Sequence, residues 1–150
     1  MKYQIVNTQD WEWDRLAPYG PDLTAAMKRL EERFPLDISV KHLALECMTG
    51  KRVLWLILDE DNAFVSFCCT VDTLNEATGT KVTALTSHAG AEGLDCCDEM
   101  CAVIEKWAFD RGADFTAAEG RRGWGRRLQN NGYREYAVIW RKPRPIEEAA

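Results

Sequence analysis

Val53-Leu54-Trp55-Leu56-Ile57-Leu58, the acidic turn Asp59-Glu60-Asp61-Asn62, and Ala63-Phe64-Val65-Ser66-Phe67-Cys68-Cys69-Thr70-Val71 decide the class of this fold. The first run is continuously apolar, as in a strand covered on both faces. The second is rich in Phe, Val, Cys and Thr, which suit a pleated, half-buried surface. A loop over Asn75 to Thr80 leads to a third strand, Lys81 to Thr86. Three successive strands joined by short turns read as an antiparallel meander at the centre of the chain.

Upstream of the meander the period is helical. Tyr3 to Asn7 reads as a short first strand. Thr8 is placed to cap a helix over Trp11 to Ala17, closed by Pro18-Tyr19-Gly20-Pro21. Asp22 caps a second helix, in which Leu23, Met27, Leu30 and Phe34 share a face and Pro35 is the stop. Asp37 starts a third, with Val40, Leu43, Ala44, Cys47 and Met48 on one side and Gly50 at its end.

Downstream, helices and strands alternate. Asp95 caps a long helix with Leu94, Cys97, Cys101, Ile104 and Ala108 on its apolar face, ended by Arg111-Gly112. Ala113 to Ala118 is a strand, Trp124 to Asn131 a short helix capped by Gly132, and Arg134 to Arg141 a last strand with Tyr136, Val138 and Trp140 alternating. The fold class is α/β: a mixed sheet, an antiparallel meander followed by α-β-α-β, with helices on both faces because parallel strands need crossovers. Residues 1–142 are expected to form a single domain and 143–150 a loose polar tail.

At 150 residues the chain is long enough for one sizeable core. Its net charge of −5 argues against general nucleic-acid or membrane-surface binding. There is no spanning apolar stretch and no signal-peptide pattern, so a cytoplasmic location is expected. The six cysteines lie in apolar runs without Cys-x-x-Cys spacing, and only His42 and His88 accompany them; they read as buried thiols, with no metal site. Cys68 and Cys69, adjacent on a strand, point to opposite faces. Trp55, Trp107 and Trp140 fall on apolar faces, whereas Trp11 and Trp13 cannot both face inward from one helix.

The most chemically suggestive stretch is Gly120-Arg121-Arg122-Gly123-Trp124-Gly125-Arg126-Arg127. A strand, a glycine-rich turn and a helix start expose backbone N–H groups and a positive dipole end, and guanidinium forks add phosphate or carboxylate binding. The competing reading pairs these arginines with acidic neighbours at the surface.

The order of elements resembles the GCN5-related N-acetyltransferase (GNAT) fold. Ile104-Glu105-Lys106-Trp107-Ala108, Gly112-Ala113, Gly120 to Trp124, Leu128, Gly132-Tyr133 and Arg141-Lys142 resemble small GNAT-like proteins of tailed bacteriophages, as does Gly50-Lys51-Arg52-Val53-Leu54-Trp55. The resemblance covers most of residues 37–142. It implies an acyl-CoA-dependent N-acyltransferase, with acetyl-CoA between the fourth and fifth strands and its pyrophosphate on an Arg/Gln-x-x-Gly-x-Gly/Ala loop. Here that loop is Ser87-His88-Ala89-Gly90-Ala91-Glu92-Gly93-Leu94: Gly90 and Gly93 are present, no Arg or Gln is, and Glu92, Asp95, Asp98 and Glu99 would repel a pyrophosphate. The Gly120–Gly125 string has the spacing but lies one strand–helix unit late. The implied cofactor-binding set is Arg121, Arg122, Gly123, Trp124, Arg126, Gly90 and Gly93. The implied catalytic candidates are Tyr133 as acid and Glu119 or His88 as base, each with a plainer reading: a capping hydrophobe, an ion pair with Arg121 or Arg122, and a solvent-facing loop histidine. The alternative function is a non-enzymatic protein on the same fold, in which acetyl-CoA chemistry is lost and the arginines meet an anionic ligand, a protein partner or a virion component; the location is then a host cytoplasm or a virion.

Overall fold

The structure, a computed structural model, describes residues 2–90, 96–120 and 122–146, without the side chain of Arg122. A five-stranded sheet runs in the order β1-β2-β3-β4-β5: β1 (Gln4–Asn7), β2 (Val53–Leu58), β3 (Phe64–Leu74), β4 (Lys81–Gly90) and β5 (Phe115–Ala118). The first three pairings are antiparallel and β4–β5 is parallel. Helices α1 (Trp13–Leu16), α2 (Gly20–Arg33) and α3 (Val40–Met48) separate β1 from β2. Helix α4 (Cys97–Asp110) makes the β4–β5 crossover, and α5 (Gly125–Asn130) follows β5.

The sheet is covered on both faces, and β2 shows why its sequence is apolar throughout. Leu54, Leu56 and Leu58 join Phe67 and Cys69 under Leu23, Met27 and Leu30 of α2 and Leu43 of α3. Trp55 and Ile57 point the other way, joining Cys68 and Leu85 beneath Met100 and Ile104 of α4. Cys68 and Cys69 thus enter opposite cores, as a strand's period of two requires. All six cysteines are free thiols; five are buried and Cys47 is half-buried. Trp11 packs at the margin of the first core while Trp13 is exposed. No helix among the described residues is long and apolar enough to cross a membrane.

Helix ends differ from the sequence expectation where tertiary contacts compete for the capping side chain. Thr8 does not cap α1: it is buried, and its Oγ1 and N both donate to the Leu54 carbonyl, at 2.8 and 3.1 Å. Helix α2 begins at Gly20 rather than after Asp22, because the 3-10 turn Ala17–Tyr19 runs into it and Pro21 suits the first turn. Helix α3 is capped by Ser39, whose Oγ accepts from the His42 N–H; Asp37 instead binds Arg141. Asp95 lies outside the described residues, and α4 starts at Cys97. The glycine stops are as expected. At α5, Gly132 N donates to Gln129 O and Tyr133 N to Leu128 O, each at 3.0 Å, with Gly132 at φ +86°.

The largest departure is at the C-terminus. No strand forms over Arg134–Arg141; residues 134–146 are all exposed, and Trp140 is 89% exposed rather than on a buried face. Alternation alone does not make a strand; it needs a neighbouring edge.

Candidate functional site

The site is created by one extra residue. In the β3–β4 pairing Thr70 faces Leu85 and Cys69 faces Ser87, so Thr86 is bulged out. A bulge bends and twists its strand and interrupts pairing. Pairing of β4 with β5 runs from Val82↔Phe115 to Leu85↔Ala118 and stops at that point. The last link is the Glu119 N–H donating to Leu85 O at 3.0 Å. Beyond it β4 continues to Gly90, still paired with β3, but among the described residues no strand takes its other edge. The sheet therefore opens between β4 and β5. Arg52 fixes the bulge: its Nη1 donates to Thr86 Oγ1 at 2.7 Å while its Nε pairs with Glu46, which also meets His42 Nε2 at 2.6 Å. The Arg52 guanidinium holds the Glu46 carboxyl below its usual range.

Four of the residues read as a cofactor loop, Ser87-His88-Ala89-Gly90, are thus strand. Small and polar residues suggest a loop locally, but Ser66–Cys69 of β3 supply the missing ladder. His88 is accordingly not a solvent-facing loop residue. It sits opposite Cys68, and burial of its ring pulls its pKa down to about 4. Its Nε2 is buried without a partner, as is Ser87 Oγ on the opposite face. Trp124, at the end of a 3-10 turn (Arg122–Trp124), places its ring edge-on to His88, centroids 4.8 Å apart. Gly120 permits this approach, since a Cβ there would lie 3.3 Å from Trp124 Cγ.

Gly90 is required by packing. A Cβ on it would lie 2.2 Å from Ser66 Cβ and 2.4 Å from both Ser66 Cα and the Val65 carbonyl oxygen. Gly90→Ala is expected to destabilise the protein by about 2 kcal/mol through the forced backbone shift. Gly123→Ala, with open space around its Cβ position, should stay within about 0.5 kcal/mol. Urea midpoints of the two variants check this, and equal midpoints would refute it.

The arginine-rich helix is late in sequence but adjacent in space. Asn131 Nδ2 donates to Asp98 Oδ1 at 2.8 Å and to Arg127 O at 2.9 Å, tying the end of α5 to the first turn of α4. The Cys97 thiol, at that same helix start, is shifted below its ordinary value by its contact with Cys101, with the Arg127 charge acting in the same direction. Two of the acids expected to repel a pyrophosphate accept hydrogen bonds from neutral groups and keep their charge: Asp98 from Asn131, and Glu99 from the Tyr3 and Lys2 N–H groups at 2.8 and 3.2 Å. Arg126 is exposed on α5. Gly93, Glu92, Asp95 and Arg121 lie outside the described residues.

The catalytic candidates are only partly brought together. His88 and the exposed Glu119 flank the opening. Tyr133 lies lower, beside the paired part of β5, where its hydroxyl donates to Thr116 Oγ1 at 3.0 Å. Burial raises the pKa of that hydroxyl. Arg52 and Thr86 were not foreseen as site residues, and Ser87 was placed only at the start of the cofactor loop. Nothing local marks a bulge; it is defined only by the register of two strands.

No protein-family model matches the sequence, and no curated protein matches it at a significant level. Solved structures do resemble it. Glucosamine-6-phosphate N-acetyltransferase from Arabidopsis thaliana has a TM-score of 0.69 at 8% identity, over 95% of this chain and 99% of that one. A GNAT family acetyltransferase from Staphylococcus aureus has a TM-score of 0.66 at 11% identity, over 95% and 99% respectively. At such identities the likeness is one of fold, and it extends over nearly the whole of both chains. The chain has the fold of the GCN5-related N-acetyltransferases.

Proposed function

We propose that this protein binds an acyl-CoA in the β4–β5 opening and transfers the acyl group to an amine. The observation that carries this reading is the β4 edge beyond Thr86: a run of strand backbone without a partner strand among the described residues, flanked by the orphan Ser87 Oγ and His88 Nε2. Buried polar groups without partners are costly, and a ligand with amide groups along an extended arm, as acyl-CoA has, satisfies such an edge. The residues present fit that arm. The anionic end of the ligand needs cations; among the described side chains the candidates are Arg126 and Arg127 of α5, whose C-terminal end the Asn131–Asp98 bond ties to the start of α4, and the sequence adds Arg121, Arg122, Gly123 and Trp124 in the preceding turn, with Gly90 and Gly93.

When bound, acyl-CoA supplies a thioester carbonyl carbon that an amine nitrogen can attack. A C–N bond forms and the C–S bond breaks; one proton leaves the nitrogen and one goes to the sulfur. Glu119, exposed beside the opening, is the base on this reading, because burial holds His88 uncharged and weakly basic at neutral pH. Tyr133, protonated and hydrogen-bonded to Thr116 Oγ1 beside the paired part of β5, is the acid candidate of this reading. His88 Nε2 is left to hydrogen-bond the ligand.

Isothermal titration of the full chain with acetyl-CoA, and with CoA alone, tests the proposal. Micromolar affinity is expected. Gln in place of Arg121, Arg122, Arg126 and Arg127 should weaken it by at least about tenfold with the circular dichroism unchanged. No heat at millimolar ligand would overturn the reading. A second reading, binding without chemistry, is favoured by the Trp124–His88 contact, which occupies part of the opening. Acetyl-CoA affinity without thiol release over a panel of amines would select it.

A further inference from the structure

All six cysteines are free thiols, and the proposed acyl transfer uses none of them. One pair differs from the rest. Cys47, in the last turn of α3, and Cys69, on β3, bring their Sγ atoms to 3.7 Å. Cys69 is fully buried, whereas Cys47 is half-buried and within reach of a small solute. The two thiols also differ in acidity. The hydrogen bond from Cys69, helped by the Arg52 charge and opposed by burial and by Glu46, holds the Cys47 thiol below its ordinary range. That same contact, together with burial, pushes the Cys69 thiol up. The remaining thiols lack this combination. Cys97 and Cys101 touch each other, but they are 0% and 1% exposed and lie one turn apart on the same helix. Cys68 and Cys96 are buried in the second core.

We propose that Cys47 and Cys69 form a peroxide-oxidised dithiol site, with Cys47 as the attacking sulfur and Cys69 as the resolving thiol. A reactive cysteine needs thiolate character, access from solvent and a second thiol in reach, and Cys47 has all three. The Cys47 thiolate attacks one peroxide oxygen. An S–O bond forms, the O–O bond breaks, and the departing oxygen takes up the proton that Cys47 lost, leaving as water or an alcohol. Cys47 is then a sulfenic acid, oxidised by two electrons as the peroxide is reduced. The Cys69 sulfur next attacks the Cys47 sulfur. The S–S bond forms, the S–O bond breaks, and hydroxide leaves with the Cys69 proton as water. Bonded sulfurs lie about 2 Å apart, so the gap to close is shorter than the bond itself. Cys47 is one residue from the end of α3, where a helix yields first. The new bond ties α3 to β3 at the residue next to the bulge.

Hydrogen peroxide on the reduced full chain, followed by alkylation and peptide mapping without reductant, tests this. The expected product is a peptide pair linked through Cys47 and Cys69, lighter by two hydrogens and separated again by a thiol reductant. Cys69→Ala removes the resolving thiol, so dimedone, which labels sulfenic acids, should mark Cys47 and no link should form. Cys47→Ala should slow the loss of free thiol by about tenfold or more. The wild-type map decides the matter even where a variant folds poorly. A pair that stays reduced while the buried Cys97 or Cys101 is oxidised, a link through any other cysteine, or Cys47 carried to sulfinic acid without a link would overturn the inference. So would an unchanged rate of thiol loss in a folded Cys47→Ala.

Discussion

Trp55→Ala is expected to lower the unfolding free energy by about 4 kcal/mol, the range for truncating a large buried aromatic. The ring is 2% exposed and lies edge-on to Trp107, centroids 5.1 Å apart at 84°. Its Nε1–H donates to Thr70 Oγ1 at 3.1 Å, and Thr70 is itself buried. Three losses therefore add: apolar burial, an aromatic pair and a hydrogen bond within the core. Trp55→Phe separates them, keeping most of the packing while removing the donor; about 1.5 kcal/mol is expected. Urea unfolding followed by far-UV circular dichroism measures both. A loss under about 1 kcal/mol for the alanine variant would mean that the α4 face of the sheet is not packed as described.

Acid should destabilise the protein through His88. Burial lowers its pKa from 6.5 to about 4. The unfolded chain therefore takes up a proton near pH 6.5 that the folded chain resists until near pH 4. Between those values the unfolded state binds more protons, so stability falls as pH falls through the window and is flat with respect to this group outside it. The full difference is about 3 kcal/mol. His88→Leu removes both the titration and the orphan Nε2. Stability against pH should lose that part of its slope between pH 6.5 and 4 while keeping the slope due to carboxylates. Identical slopes in the two proteins would show that His88 is solvated. Saturating acetyl-CoA offers a cross-check on the site: if Nε2 meets the ligand, His88→Leu also weakens binding.

The meander was legible because β2 and β3 are buried on both faces and need apolar residues at every position; Val53–Leu58 is the element that the sequence reading and the structure bound alike. The helix stops at Gly50, Gly112 and Gly132 were legible because each holds a positive φ that other residues resist. Helix starts were less so. Thr8, Asp22 and Asp37 have capping chemistry, but the Leu54 carbonyl, a 3-10 turn and Arg141 claim or displace them. Of the site, the arginine-rich turn was legible by composition, whereas its nearness to α4 depends on the Asn131–Asp98 bond, which joins residues 33 apart in the chain.

The sequence by itself determined which segments are apolar on one face or two, where glycine ends a helix, and hence a meander followed by helix-linked strands. These are properties of neighbouring residues, set by period and by backbone sterics. Only the tertiary structure decided that β4 passes through a bulge at Thr86, and that neither its far edge beyond Leu85 nor residues 134–141 meet a partner strand among the described residues. Register and edge pairing are relations between distant strands. A strand's own residues specify its faces, but the hydrogen bonds that make it a strand come from whichever chain lies alongside.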